Sequence, residues 1–310
     1  MKHLWSLLLL FLVLAISCKQ DHKLTVVKIL SNYPSASGIE YFNNQLYVIG
    51  DDANSLLVLD SNLAIKDSVI LYSFPEKRIP KNFKPDLEAA AFINKQDKQQ
   101  LLLLGSGSLP VRNTSWLINP ITFEKESIRL DTFYNFLQIN GVENLNIEGL
   151  CSIKDKIILS NRGHRGWPHN FLVITNTIFF DNQEGPPVSV IRIGGNTDSS
   201  IFSGVSGLAY AKYSDLLLLT VSTEDTRSST EDGAIGKSSL WIIENISSKL
   251  KWEGINPNKI IDLEEIDDRF HGQKIESVCV IKEDNDDIHL VLAADNDDGS
   301  STLFKVIIKK

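Results

Sequence analysis

From Leu24 onward the apolar residues fall into short runs of five to seven, each bounded by Asn, Asp or Gly. Five of these runs share a character: QLYVIG (45–50), QLLLLG (100–105), KIILSN (156–161), DLLLLTV (215–221) and IHLVLAA (288–294). A polar loop follows each, and then a second run: SLLVLD, SWLIN, FLVIT, SLWIIE and TLFKVII. Runs this short cannot be told from buried helix by periodicity, but their length and their Asn, Asp and Gly flanks predict strands.

One short motif precedes each pair of runs. It reads Glu or Ser, a small residue, then an apolar one, at Ser37-Gly38-Ile39, Glu88-Ala89-Ala90, Glu148-Gly149-Leu150, Ser206-Gly207-Leu208 and Glu276-Ser277-Val278. The copies start 51, 60, 58 and 70 residues apart. Each unit is therefore strand, turn, strand, polar loop, strand, with a fourth strand expected at Ile65–Tyr72, Ser127–Thr132 and Val188–Ile193. The fifth unit ends after its third strand, and Leu24–Leu30 (LTVVKIL) stands ready to supply the missing one. Such a circularly permuted repeat predicts an all-β fold, a β-propeller of five four-stranded blades closed by an N-terminal strand. A sixth blade, in the 70-residue interval or in 113–146, is the alternative count. Cys151 and Cys279 take the same column in units three and five, which are not ring neighbours. Two buried thiols are expected rather than a disulfide, which needs Cα atoms within about 7 Å.

Composition narrows location more than activity. The 310 residues are 43% hydrophobic and 23% charged, with net charge −8 and three Cys, an ordinary globular balance. The acidity argues against nucleic acid as a partner. Residues 1–17 read as an export leader: Lys2, then the apolar Leu4–Ile16. Ser17-Cys18 at its end resembles the lipobox of bacterial lipoproteins, with Ala15 where Leu is commonest. That resemblance implies acylation of Cys18, palmitate included, and membrane anchoring through residues 18–23 as lipidated Cys and polar tether. Cleavage by an ordinary signal peptidase, with Cys18 incidental, is the competing reading. Lys19 in place of Asp favours the outer membrane. The remainder, 24–310, is expected to be a single propeller domain and a monomer.

The opening Ser37–Asp60, together with Asp86–Ala90 and Ile147–Leu150, resembles two families of bacterial propellers, the esterase-like phytase domain family and the SdiA-regulated proteins. The resemblance implies a secreted or anchored propeller and leaves the substrate open.

In a propeller the first strand of each blade lines the channel, and the loops between second and third strands crowd one mouth. Glu88, Glu148 and Glu276 would converge there, and three carboxylates need protons or a cation such as Ca²⁺. The bland alternative is that each Glu caps its own blade. Asp51, Asp52, Glu224 and the segment Asp295–Gly299 place further carboxylates in those loops, with Asp295 and Asp297 as added metal candidates. The basic counterpart is Arg162-Gly163-His164-Arg165, followed by Trp167 and His169, with Arg112, Arg227 and Lys237 as further contributors. Arg forks suit carboxylate or phosphate, and His164 suits general acid–base work. No G-x-S-x-G, P-loop, H-E-x-x-H or C-x-x-C motif occurs. The sequence therefore points to an envelope module binding a small anionic ligand, partly through a divalent cation, or an envelope partner. A Ca²⁺-assisted hydrolase of phosphate esters or lactones, with His164 as the candidate catalytic residue, is the alternative, and a purely structural role is the third reading.

Overall fold

The computed structural model describes residues 22–194, 202–224, 228 and 235–310. Strand β1 (Lys23–Leu30) comes first and is held over for closure. Blade one is β2 (Ala36–Phe42), β3 (Gln45–Gly50), β4 (Ser55–Asp60) and β5 (Ile65–Ile70). Blade two is β6 (Leu87–Lys95), β7 (Lys98–Gly105), β8 (Thr114–Ile118) and β9 (Lys125–Arg129). Blade three is β10 (Ile147–Ile153), β11 (Lys156–Asn161), β12 (Asn170–Thr175) and β13 (Ser189–Ile193). Blade four follows as β14 (Ser203–Ala211), β15 (Leu216–Glu224) and β16 (Ile235–Glu244). The short β17 (Gly254–Ile255) joins blade three in parallel beside β13, and β18 (Lys259–Asp262) completes blade four. Blade five is β19 (Lys274–Glu283), β20 (Asp287–Asp295) and β21 (Ser301–Lys309), with β1 paired antiparallel to β21. The first strands pack β2 on β6, β6 on β10, β10 on β14, β14 on β19 and β19 on β2, a closed ring of five.

The strand chemistry follows the radius. Second strands are sandwiched between neighbouring blades on both faces, so they are apolar without alternation; Leu101–Leu104 of β7 are wholly buried. Outermost strands face water, and β5 (IKDSVI) and β9 (KESIR) are mostly exposed and polar. The turn between first and second strands is tight. Asn43 and Asn44 both take positive φ (50° and 62°), the twist a two-residue hairpin needs.

The long intervals hold other elements than a sixth blade. Within 113–146 a helix, α1 (Asp131–Ile139), buries Phe133, Tyr134 and Leu137. The Tyr134 hydroxyl donates to the Gly105 carbonyl at 2.6 Å, and Phe133 stacks on Phe179. The 70-residue interval is occupied by the single-turn α2 (Ile246–Lys249) and by β17 and β18.

Cys151 and Cys279 are buried and unbridged, and burial pushes both thiols up. In a Cys18→Ser protein, iodoacetamide should leave both unmodified in buffer and label both in guanidinium. Stoichiometric labelling under native conditions would show that the inter-blade columns open.

Candidate functional site

Every first strand carries a β-bulge, and the bulge falls on the same column. Pairing skips Ser37, Glu88, Glu148, Ser206 and Glu276 in the five blades. A bulged residue has no cross-strand partner, so its side chain is free to be re-aimed. Ser37, Glu88, Glu148 and Glu276 use that freedom to line a cavity of about 80 Å³ at one mouth of the channel. The two serines also stitch blades together. Ser37 Oγ donates to the Leu87 carbonyl at 2.5 Å, and Ser206 Oγ to that of Ile275 at 2.8 Å.

A second polar column lies two residues before the first: Ser35, Asp86, Asn146, Gly204 and Lys274. Four of these line the same cavity. The fifth is the exception that explains the site. A Cβ on Gly204 would lie 2.4 Å from Arg162 Nε, so glycine leaves the space that the Arg162 side chain fills.

Arg162 is the hub of the half formed by blades three to five. Its Nη2 lies 2.8 Å from Glu224 Oε2, and its Nη1 lies 3.4 Å from Glu148 Oε2 and 3.8 Å from Glu276 Oε2. Lys274 Nζ contacts Glu276 Oε1 at 2.8 Å, and Asn146 Nδ2 donates to Glu148 Oε1 at 2.6 Å. Burial opposes the guanidinium charge, but the three glutamates outweigh it and hold Arg162 above its ordinary value. Burial pushes Glu148 up to about 7 even against Arg162, with Glu276 adding repulsion. Glu276 itself is held below the usual range, because Lys274 and Arg162 overcome its burial.

Blades one and two form the other half. Lys84 Nζ contacts Asp51 and lies 2.8 Å from Asp86 Oδ1, while Arg112 Nη1 and Ser106 Oγ reach Asp86 Oδ2 at 2.7 and 2.5 Å. Burial and the neighbouring Asp86 and Asp52 raise Asp51 to about 6 despite Lys84. Burial, then Asp86, Glu148 and Asp51, raise Glu88 well above a normal carboxyl. In total the lining sets seven carboxylates against five Lys and Arg side chains.

The sequence candidates sort as follows. Arg162, His164, Arg112, Asp51, Glu88, Glu148, Glu276 and Asp295 share the mouth. Asp295, largely buried, is raised to about 7. Asp52 turns aside to Arg78, 2.6 Å away, and Asp297 is exposed, its N–H bonded to Asp295 Oδ1. Arg165 is partly exposed beside His164, and exposed Lys237 pairs with Asp262 on the flank of blade four. Cys18 and Arg227 lie outside the described residues. Asp86, Lys84 and Lys274, central to the geometry, were not among the candidates; extending the repeat alignment two residues upstream finds Asp86 and Lys274.

A family model of unknown function, DUF6929, matches residues 32–308. The chain belongs to that family. The five sheets support the propeller, and the narrower phytase-like or SdiA-regulated assignment is not supported. No functionally curated protein matches the sequence. Among solved structures, Myxococcus xanthus glutaminyl cyclase is similar at 11% identity and TM-score 0.55, over 93% of this chain and 97% of that one. A putative exported protein from Bacteroides fragilis matches at 10% identity and TM-score 0.45, over 96% and 98%. A streptogramin B lyase matches at 9% and 0.41, over 91% and 97%. The first of these supports the fold of the DUF6929 chain.

Proposed function

We propose that this DUF6929 protein is an envelope binding module, anchored through Cys18, that holds a small charged molecule in the channel mouth. The observation carrying this reading is the concentration of twelve charged side chains from all five blades on one cavity. A ring held together for stability alone would be filled more favourably by apolar groups than by buried ion pairs. Arg162, Arg112, Lys84 and Lys274 are already engaged by carboxylates. A small anion would therefore bind through a bridging cation, with His164 at the rim, rather than on the Arg forks directly. No helix among the described residues is long and apolar enough to cross a membrane.

Thermal-shift screening of full-length protein with small anions, with and without Ca²⁺, should give a ligand. His164→Ala should weaken it about tenfold or more, the loss of one charge-assisted bond. Affinity unchanged in both His164→Ala and Glu88→Gln would place the ligand elsewhere and overturn the reading.

A second reading is hydrolytic. His164 lines the same mouth as Glu148, whose carboxyl burial makes a weaker acid, holding its proton up to about 7, which suits proton transfer near neutral pH. Turnover of a phosphate monoester or lactone, lost in His164→Ala, would favour it; the name of the M. xanthus neighbour adds a glutaminyl peptide to that panel.

A further inference from the structure

Asp51, Asp86 and Glu88 each place one carboxylate oxygen so that the three lie within 4.8 Å of one another. Two oxygens on one Ca²⁺ span such distances, since Ca–O bonds run about 2.3–2.6 Å. The backbone fixes the three positions. The Asp86 N–H donates to the Asp51 carbonyl at 3.1 Å, the Asp51 N–H to the Ser35 carbonyl at 3.1 Å, and the Ser106 N–H to the Asp86 carbonyl at 2.9 Å. Lys84 contacts only two of the three acids, Asp51 and Asp86, and Glu88 has no ion pair among the described residues.

An independent acceptor from blade five faces the same cavity. The Glu276 side chain is only 6% exposed, and its Oε2 takes no hydrogen bond. Arg162 Nη1, 3.8 Å away, is beyond hydrogen-bond reach of it. A buried carboxylate oxygen of this kind is placed to accept from a donor inside the cavity, as water on a bound cation provides. The donor set is all oxygen, without His or Cys, which selects hard cations over zinc.

Resting on the reading of the mouth as a binding site, we propose that Asp51, Asp86 and Glu88 form a Ca²⁺ site in which the ion displaces the Lys84 ammonium from Asp51 and Asp86 while Arg112 stays on Asp86 Oδ2. Three carboxylates leave coordination positions for water and for one anionic group of a ligand. Cation and ammonium compete for Asp51 and Asp86, so Lys84 sets the affinity.

Calorimetric titration of chelator-stripped full-length protein with CaCl₂ should show one site. Glu88→Gln, isosteric and uncharged, should weaken it at least tenfold. Lys84→Met should tighten it at least tenfold, whereas a plain salt-bridge role for the three acids gives that variant no Ca²⁺ binding. Absence of binding in both wild type and Lys84→Met overturns the site, as does an unchanged affinity in Glu88→Gln. Capture of an anion in EDTA, with no titratable Ca²⁺, also overturns it while leaving the wider reading of the mouth standing. Ca²⁺ bound through Glu88 with no ligand found in any panel supports the site and counts against that wider reading.

Discussion

A chain lacking Lys23–Leu30 should give no cooperative unfolding transition. β1 pairs with β21 across seven residues, from Lys23 opposite Ile307 to Leu30 opposite Ser301. Its two buried side chains serve different inter-blade cores: Leu24 packs with the blade four–five cluster, and Leu30 with the blade five–one cluster. Emptying a buried leucine site costs about 2–5 kcal/mol, so two such losses reach the range of a whole domain's stability, about 5–15 kcal/mol. The deletion also strips the ladder and leaves the nine residues of β21 as an open edge, a template for aggregation. Ser301, at the rim of that edge, further ties blade five to blade one by accepting from the Ala36 N–H and donating to the Tyr33 carbonyl. Urea titration followed by near-UV circular dichroism is the check, with a synthetic strand of residues 22–31 added in trans as the rescue. A cooperative transition within about 1 kcal/mol of the intact protein would show that β1 is an ornament rather than the closure.

Arg162→Met should cost about 3–5 kcal/mol at pH 8, the range for removing one partner of a buried ion pair. The methionine keeps much of the side-chain volume over Gly204 and removes the charge. Glu148 then loses its ion-paired cation, and Glu224 and Glu276 lose the guanidinium they share, although Lys274 stays 3.9 and 2.8 Å from them. The cost should shrink as the pH falls. Glu148 in the folded protein holds its proton up to about 7, whereas the unfolded chain releases it near the ordinary glutamate value. Between those limits the folded state binds more protons, so stability falls as pH rises through the window. Without Arg162 the folded-state value climbs further and the fall steepens, by up to about 1.4 kcal/mol for each unit gained. Glu276, held below the usual range, acts in the opposite sense, but only at more acidic pH. Urea melts at pH 5 and pH 8 should therefore show a smaller gap between variant and wild type at pH 5. An equal gap at both, or a loss under about 1 kcal/mol, would mean that the hub is not what neutralises the glutamates.

How much of this was readable in the chain depended on radius. The second strands, such as QLLLLG and DLLLLTV, are buried between blades on both faces, and an unbroken apolar run records that environment directly. The outermost strands have one wet face and carry a weaker signal; those expected at Ile65–Tyr72, Ser127–Thr132 and Val188–Ile193 form with shifted ends, and Lys125–Arg129 is a strand because β8 offers a ladder. Helix α1 was missed although Phe133, Tyr134 and Leu137 carry a helical spacing, because an interval between strands invites another blade. The bulged column was visible as Glu or Ser before a small residue. What those residues do was not, since pairing at the mouth joins residues 14, 62 and 114 positions from Arg162. Only the closed ring makes such partners neighbours. Gly204 shows the limit most clearly: its meaning is the volume of another blade's arginine.

The direction of β1 has a geometric corollary. Leu30 pairs with Ser301 next to the mouth, and Lys23 with Ile307 at the opposite rim, where Lys309 N–H also meets His22 Nδ1 and Lys310 N–H meets the Asp286 carbonyl. The polypeptide thus joins the disc from underneath. Under the anchoring proposed for Cys18, the span from Cys18 to Lys23 would serve as a leash of at most about 18 Å. A protein held by that leash would lie with its underside against the bilayer and its charged cup opening outward, like a dish on a short stalk, toward whatever passes by in solution.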